Sequence, residues 1–151
     1  MVHCGLENIP RLSVPKLQAC QAVPLVEDKY VLHLRDDNPN IIVAGKWSLI
    51  GGQMDKGEAP LQAINREVTE ELSVSISKFR FLWFTDYIVN EVKKTARSWF
   101  FVADMSSMWG RHKLTEGKAV ECFVYEEISG LEMSPVIRES IDRYHKQIKR
   151  H

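Results

Sequence analysis

Glu67, Glu70 and Glu71 stand at i, i+3 and i+4 in a chain of 151 residues. On an α-helix, at 100° per residue, their side chains would fan over about 100° of one face. Such crowding costs a few tenths of a kcal/mol per pair in an isolated helix, and more if the group is desolvated, so a cation would relieve it. All-oxygen donors select hard divalent ions such as Mg²⁺ or Mn²⁺. A solvated glutamate-rich helix face fits the same spacing. The segment before it shifts the balance toward a ligand: Gly51-Gly52 lets backbone approach closely, Glu58 adds a carboxylate, and Arg66 adjoins the cluster and can orient or neutralise one of its members.

The elements that must position these groups follow from local pattern. Pro60 suits a first helical position, and Leu61, Ile64, Val68 and Leu72 recur at helical spacing, which predicts a helix with the carboxylates beside the core rather than in it. Upstream, residues 18–26 and 30–34 are apolar-rich runs around the polar Glu27-Asp28-Lys29, which predicts a hairpin, and residues 36–40 form a loop. Residues 79–84, 98–103 and 119–125 carry the aromatic and β-branched content of strands. A last helix should begin at Ser134-Pro135, bury Ile137, Ile141, Tyr144 and Ile148, and set Lys146, Lys149 and Arg150 against its dipole. Strands around two separated helices imply a mixed sheet covered on its faces, an α/β (α+β) architecture. Residues 1–16 read as an irregular lead-in and 17–151 as one domain.

Composition narrows the function. Twenty Lys plus Arg balance twenty Asp plus Glu, which argues against a sequence-independent binder of nucleic acid polymers. The three cysteines lack metal or disulfide spacing, and no apolar run approaches the length of about 20 residues that spans a bilayer. The expectation is a cytoplasmic protein with no membrane partner. None of the five histidines has partner spacing, and none receives a role.

Gly52, five residues, Glu58, seven residues, then Arg66-Glu67-Val68-Thr69-Glu70-Glu71-Leu72-Ser73-Val74 resembles the Nudix box, G-x5-E-x7-R-E-U-x-E-E-x-G-U. One defined position departs: Ser73 replaces a glycine that looks like a left-handed helix cap, at a cost of about 1 kcal/mol of local stability that leaves the carboxylates untouched. Trp47-Ser48-Leu49-Ile50-Gly51-Gly52 is similar to the W-x-L-P-G-G segment of the family, with Ile50 in place of proline.

The resemblance implies an α/β/α sandwich with a mixed sheet between helices, and hydrolysis of a nucleoside diphosphate linked to a group X. It implies Mg²⁺ as cofactor, with Mn²⁺ able to substitute. By residue-wise transfer Glu67, Glu70 and Glu71 would be principal metal ligands, the Gly51 carbonyl a further one, and Glu58 an assisting carboxylate, while Arg66 would organise Glu67 and Glu58. Glu116, in Thr115-Glu116-Gly117, resembles an additional metal-binding carboxylate of MutT-like pyrophosphohydrolases and is the candidate general base, with Glu67 or Glu70 as the fallback. Arg35 matches a phosphate-contacting position, and Gly52 and Tyr87 join it as candidate substrate contacts; Trp83, Phe84 and Asp86 are candidates for base or sugar contacts.

The small MutT-like group is the best match, with a nucleoside triphosphate released as monophosphate and pyrophosphate. A nucleotide sugar is the alternative substrate, and a non-catalytic nucleotide sensor the alternative class. No amide side chain stands in Met133-Ser134-Pro135-Val136-Ile137 to read a purine as in enzymes selecting 8-oxoguanine. Many relatives dimerise, so the resemblance leaves a homodimer open.

Overall fold

A computed structural model describes residues 15–36, 45–76, 78–114 and 117–149. Strands β1 (Leu17–Val26) and β2 (Lys29–Leu34) form the expected hairpin, followed by β3 (Trp47–Ser48), β4 (Ile50–Gln53) and helix α1 (Pro60–Leu72). Then come β5 (Arg80–Val89), β6 (Lys94–Asp104), β7 (Ala119–Phe123), the short helix α2 (Tyr125–Ile128) and helix α3 (Pro135–Lys149). The strands make one seven-stranded sheet among the described residues.

The sheet is mixed because β1 runs parallel to β6, from Leu17 opposite Ala96 to Leu25 opposite Asp104, while the other pairings are antiparallel. The other edge of β1 is shared. Residues Ala19 to Ala22 pair with β4, and Leu25 and Val26 pair with β2. The sheet therefore branches where β2 and β4 part, and the residues at the branch carry the chemistry described below.

Each face of the sheet buries one long helix, the three-layer sandwich expected from the order of elements. On one face Ala63, Ile64, Val68 and Leu72 of α1 pack with Cys20, Ala22, Ile50 and Phe101; on the other, Ile137, Ile141 and Tyr144 of α3 pack with Val23, Leu32, Trp83 and Phe100. Full burial of a side chain such as Ile64 or Leu72 contributes about 1.5–3 kcal/mol. Two apolar positions depart from the expected stripes, each in a terminal turn of its helix: Leu61 is 49% exposed and Ile148 44% exposed.

The helix ends follow their local chemistry. Pro60 opens α1, and the Ala59 N–H donates to Gln62 Oε1 at 2.9 Å. Ser73 ends the helix in the left-handed region, φ 54° and ψ 34°, its N–H donating to the Thr69 carbonyl at 2.9 Å, so serine there occupies the cap conformation that glycine enters without strain. Ser134 caps α3 by accepting from the Ile137 N–H at 3.4 Å. Residues 119–125 were expected as one strand; β7 ends at Phe123 and Tyr125 opens α2 instead, with the Val124 N–H received by Glu127 Oε1. The expected lead-in up to residue 14, most of the loop after Asp36, and the Lys149 and Arg150 side chains fall outside the described residues.

Candidate active site

The glutamate fan on α1 divides between two arginines. Arg66 grips Glu58 with two nitrogens, Nε to Oε2 at 2.7 Å and Nη2 to Oε1 at 2.9 Å. Its Nη1 donates to Glu67 Oε1 at 2.9 Å and to Glu70 Oε2 at 3.2 Å, and Nη2 also reaches the Gln53 carbonyl at 3.1 Å. The Glu58 carboxyl, held by Arg66 and by the Asp55 N–H, is lowered to about 2, and the Arg66 guanidinium is pushed up by its bonds to Glu58 and Glu67. Both Glu58 oxygens are thus engaged by protein donors, which makes Glu58 the anchor of Arg66.

Glu71 points the other way. It is 1% exposed, against the expectation that the carboxylates sit beside the core, and Glu67 is buried too, while Glu70 remains half-exposed. The difference arises because α1 lies on the branch of the sheet, so the 100° fan spans from core to solvent. Glu71 Oε1 faces Arg35 Nη1 at 3.5 Å, and its Oε2 faces His33 Nδ1 at 3.9 Å. Arg35 Nη1 also donates to the Gly51 carbonyl at 3.4 Å.

Glycine is required where β4 meets the helix. A Cβ at Gly52 would lie 2.8 Å from the Glu67 carboxylate, so only a residue without a side chain lets that carboxylate lie on the strand. At Gly51 a Cβ would come within 2.0 Å of the Cys20 carbonyl oxygen. Beneath them Cys20 is fully buried, and desolvation pushes its thiol up to about 12, so it stays neutral and inert.

A cleft of about 700 Å³ runs along the sheet on the α3 side. Arg35, Lys46, Ser48 and Gly52 line one end; Tyr87 and Ser98, joined hydroxyl to hydroxyl at 2.8 Å, and Ser134 to Ile137 at the start of α3 line the rest. Of the four aromatic and polar candidates on β5, only Tyr87 reaches the cleft. Trp83 packs in the core, while Phe84 and Asp86 alternate to the opposite face, where Arg97 stacks over the Phe84 ring at 4.0 Å and bonds both Asp86 oxygens.

The site also contains residues that sequence reasoning passed over. His33, 2% exposed, stands beside Glu71; the two-residue alternation of a strand places it on the same face as Arg35, a signal present in the sequence. Gln21, opposite Gly51 in the β1–β4 register, lines the cleft with a buried Oε1 that has no hydrogen-bond partner among the described residues. Pairing register supplied that placement, and local pattern does not give it. Glu116 lies outside the described residues.

The donor chemistry fits a hard divalent ion. Glu67, Glu70, Glu71 and the Gly51 carbonyl are all oxygen donors, and the cleft-lining Arg35 and Gly52 lie against Glu71, the Gly51 carbonyl and Glu67. Among the described residues no three acidic, His or Cys side chains converge as a ready-made metal-binding group. The reason is visible in the ion pairs: guanidinium groups hold the carboxylates in two sets, and Arg35 sits on two of the oxygens.

Residues 16–144 match the family model described as NUDIX domain, six-sevenths of the chain. The chain belongs to the Nudix family. It is a Nudix pyrophosphohydrolase, with MutT-like proteins among the structures it resembles. The MutT protein from Methanosarcina mazei Go1 is 23% identical, with 89% of this chain and 96% of that one covered and a TM-score of 0.75. The NUDIX domain of Shewanella oneidensis NrtR, solved with ADP ribose, is 18% identical over 95% of this chain and 96% of that one, TM-score 0.73. The E. coli dihydroneopterin triphosphate pyrophosphohydrolase is 18% identical over 84% and 93%, TM-score 0.68. At these identities the likeness is one of fold. Divalent metal use is general among Nudix hydrolases, and no helix of the described residues is long and apolar enough to cross a membrane.

Proposed function

We propose that this Nudix hydrolase cleaves a nucleoside triphosphate to the monophosphate and pyrophosphate, with Mg²⁺ as its working ion. One observation carries the reading: Arg35, which contacts Glu71 and the Gly51 carbonyl, and Gly52, which lies against the Glu67 carboxylate, line one end of a cleft of about 700 Å³ that continues past Lys46 to a hydroxyl pair on β5 and β6. That volume lies in the range of small-ligand sites.

The hydrolysis is water attack at phosphorus, opposed by the charge of the phosphate chain. Mg²⁺, held by Glu67, Glu70, Glu71 and the Gly51 carbonyl, would neutralise phosphate oxygens and acidify the attacking water. The protein's own groups do the rest. Lys46 and Arg35 at the cleft wall attract and orient the phosphates, and Gly52 leaves room for them beside Glu67. Arg66 holds Glu67 and Glu70 in place against Glu58. Tyr87 and Ser98 offer hydroxyls to the nucleoside end.

The general base in this reading is Glu116, with Glu67 or Glu70 as the fallback. In support, its neighbour Gly117 packs so closely on His33 that a Cβ there would lie 2.0 Å from Nε2, and His33 faces Glu71. A nucleotide sugar is the second reading, favoured by the ADP ribose bound to the similar NrtR domain.

Incubation of the purified protein with Mg²⁺ and a panel of nucleoside triphosphates, nucleotide sugars and dinucleoside polyphosphates tests the proposal. It requires a triphosphate to be converted to monophosphate and pyrophosphate. Turnover confined to the nucleotide sugars selects the second reading, and binding without turnover of any compound leaves a nucleotide sensor.

A further inference from the structure

We propose that Arg35 competes with the divalent cation for the Gly51 carbonyl and the Glu71 carboxylate, so that metal binding hands its guanidinium over to the phosphates in the cleft. This rests on the metal reading above and adds an order of events to it.

The geometry makes the two cations mutually exclusive. One nitrogen, Arg35 Nη1, lies 3.4 Å from the Gly51 oxygen and 3.5 Å from Glu71 Oε1. A divalent ion held by the same two oxygens would have to replace that nitrogen as their cationic partner. Both contacts are long for charge-assisted hydrogen bonds, which run to about 2.7–2.9 Å, so the guanidinium is held loosely. Arg66, with contacts of 2.7 and 2.9 Å to Glu58, shows what a tightly held arginine looks like a few residues away.

Displacement needs only a change of side-chain rotamer. The Arg35 N–H donates to the Lys46 carbonyl at 3.0 Å, which fixes the backbone at the end of β2. The side chain is 22% exposed and already lines the cleft, so its alternative position is the space where phosphates would lie. Displaced from Glu71 by an ion, the guanidinium finds its next anionic partner there. Linkage then makes the effect reciprocal: a phosphate that draws Arg35 away tightens the metal site by the factor with which the metal favours phosphate. Arg35 on this account disfavours metal without substrate and substrate without metal.

The test is Mn²⁺ binding followed by electron paramagnetic resonance, with no nucleotide present, in wild type, Arg35→Gln, Arg35→Lys, Lys46→Gln and Glu71→Gln. Competition predicts that Arg35→Gln binds Mn²⁺ at least about fivefold more tightly than wild type. Lys46→Gln, which removes a cleft charge with no contact to either oxygen, should shift affinity less than about twofold. Arg35→Lys keeps the charge and shortens the reach, so tighter binding there separates contact from charge, and it serves where the glutamine variant fails to fold.

Equal tightening by Arg35→Gln and Lys46→Gln, or none by Arg35→Gln, overturns the competition and leaves the metal reading intact. Absence of Mn²⁺ binding in every variant overturns both. Binding that Glu71→Gln leaves untouched places the ion elsewhere and overturns the competition.

Discussion

Two arginines meet the glutamates of one helix, and they meet them differently. Arg66, on the helix itself, is wrapped by Glu58, Glu67 and Glu70 with contacts of 2.7 to 3.2 Å. Arg35 reaches the same helix from β2 and touches the fully buried Glu71 at 3.5 Å. A short two-pronged pair fixes architecture, because breaking it loses two charge-assisted bonds at once. A pair of long contacts from one nitrogen beside an open cleft is a position that can be vacated. The comparison teaches that the same pairing of an arginine and a carboxylate serves as a brace at one end of the fan and as an exchangeable contact at the other.

The largest test of that contrast removes the carboxylate on the exchangeable side. Glu71→Gln is expected to fold and to lose more than about a hundredfold in Mg²⁺-dependent turnover, since it takes a charged oxygen donor from the proposed metal site. Glu70→Gln should likewise abolish most turnover while folding stays near normal. Circular dichroism with product assay checks both, and full activity in either variant removes that residue from the site. For Glu116→Gln a loss of at least about a hundredfold is expected of a general base, whereas a far smaller one returns the role to Glu67 or Glu70.

Next in size is the brace. Arg66→Met should lower the unfolding free energy by about 1 kcal/mol after allowance for solvent screening, a shift of a few degrees in Tm, and should not tighten Mn²⁺ binding as Arg35→Gln does. An unchanged melting curve would reduce Arg66 to a surface charge.

The smallest effect is a pH dependence. The Glu58 carboxyl is lowered from 4.5 to about 2, mainly by its bonds to Arg66. A depressed carboxylate contributes stability that is fully present above its unfolded value and is lost as pH falls through the folded one. Glu58→Gln should therefore melt below wild type at pH 6, and the gap should close between pH 4.5 and about 2. A gap that stays constant over that window contradicts the assignment.

The sandwich was legible in the sequence because its signals are local. Helix α1 follows from Pro60 and the spacing of Ile64, Val68 and Leu72, and the left-handed cap at Ser73 from a single motif position. The burial of Glu71 was not legible, since the fan angle fixes how carboxylates are spread and not which of them turns inward. That depends on where β2 and β4 part from β1, a matter of pairing between segments far apart in sequence, Cys20 and Gly52 being 32 residues apart. The same long-range register brings Gln21 to Gly51. His33 was within reach through its alternation with Arg35. Which of Trp83, Phe84, Asp86 and Tyr87 faces the cleft was not legible, because composition marks a strand without saying which face meets the cleft, and the bulge between Phe81 and Trp83 shifts the register there.

The most direct measurement is anomalous diffraction from a crystal of the protein grown with Mn²⁺. The account predicts a peak coordinated by the Gly51 carbonyl and Glu71, with Glu67 or Glu70 as a further ligand and the Arg35 guanidinium turned into the cleft. A peak elsewhere, or Arg35 still seated on Glu71 beside a bound ion, would contradict it.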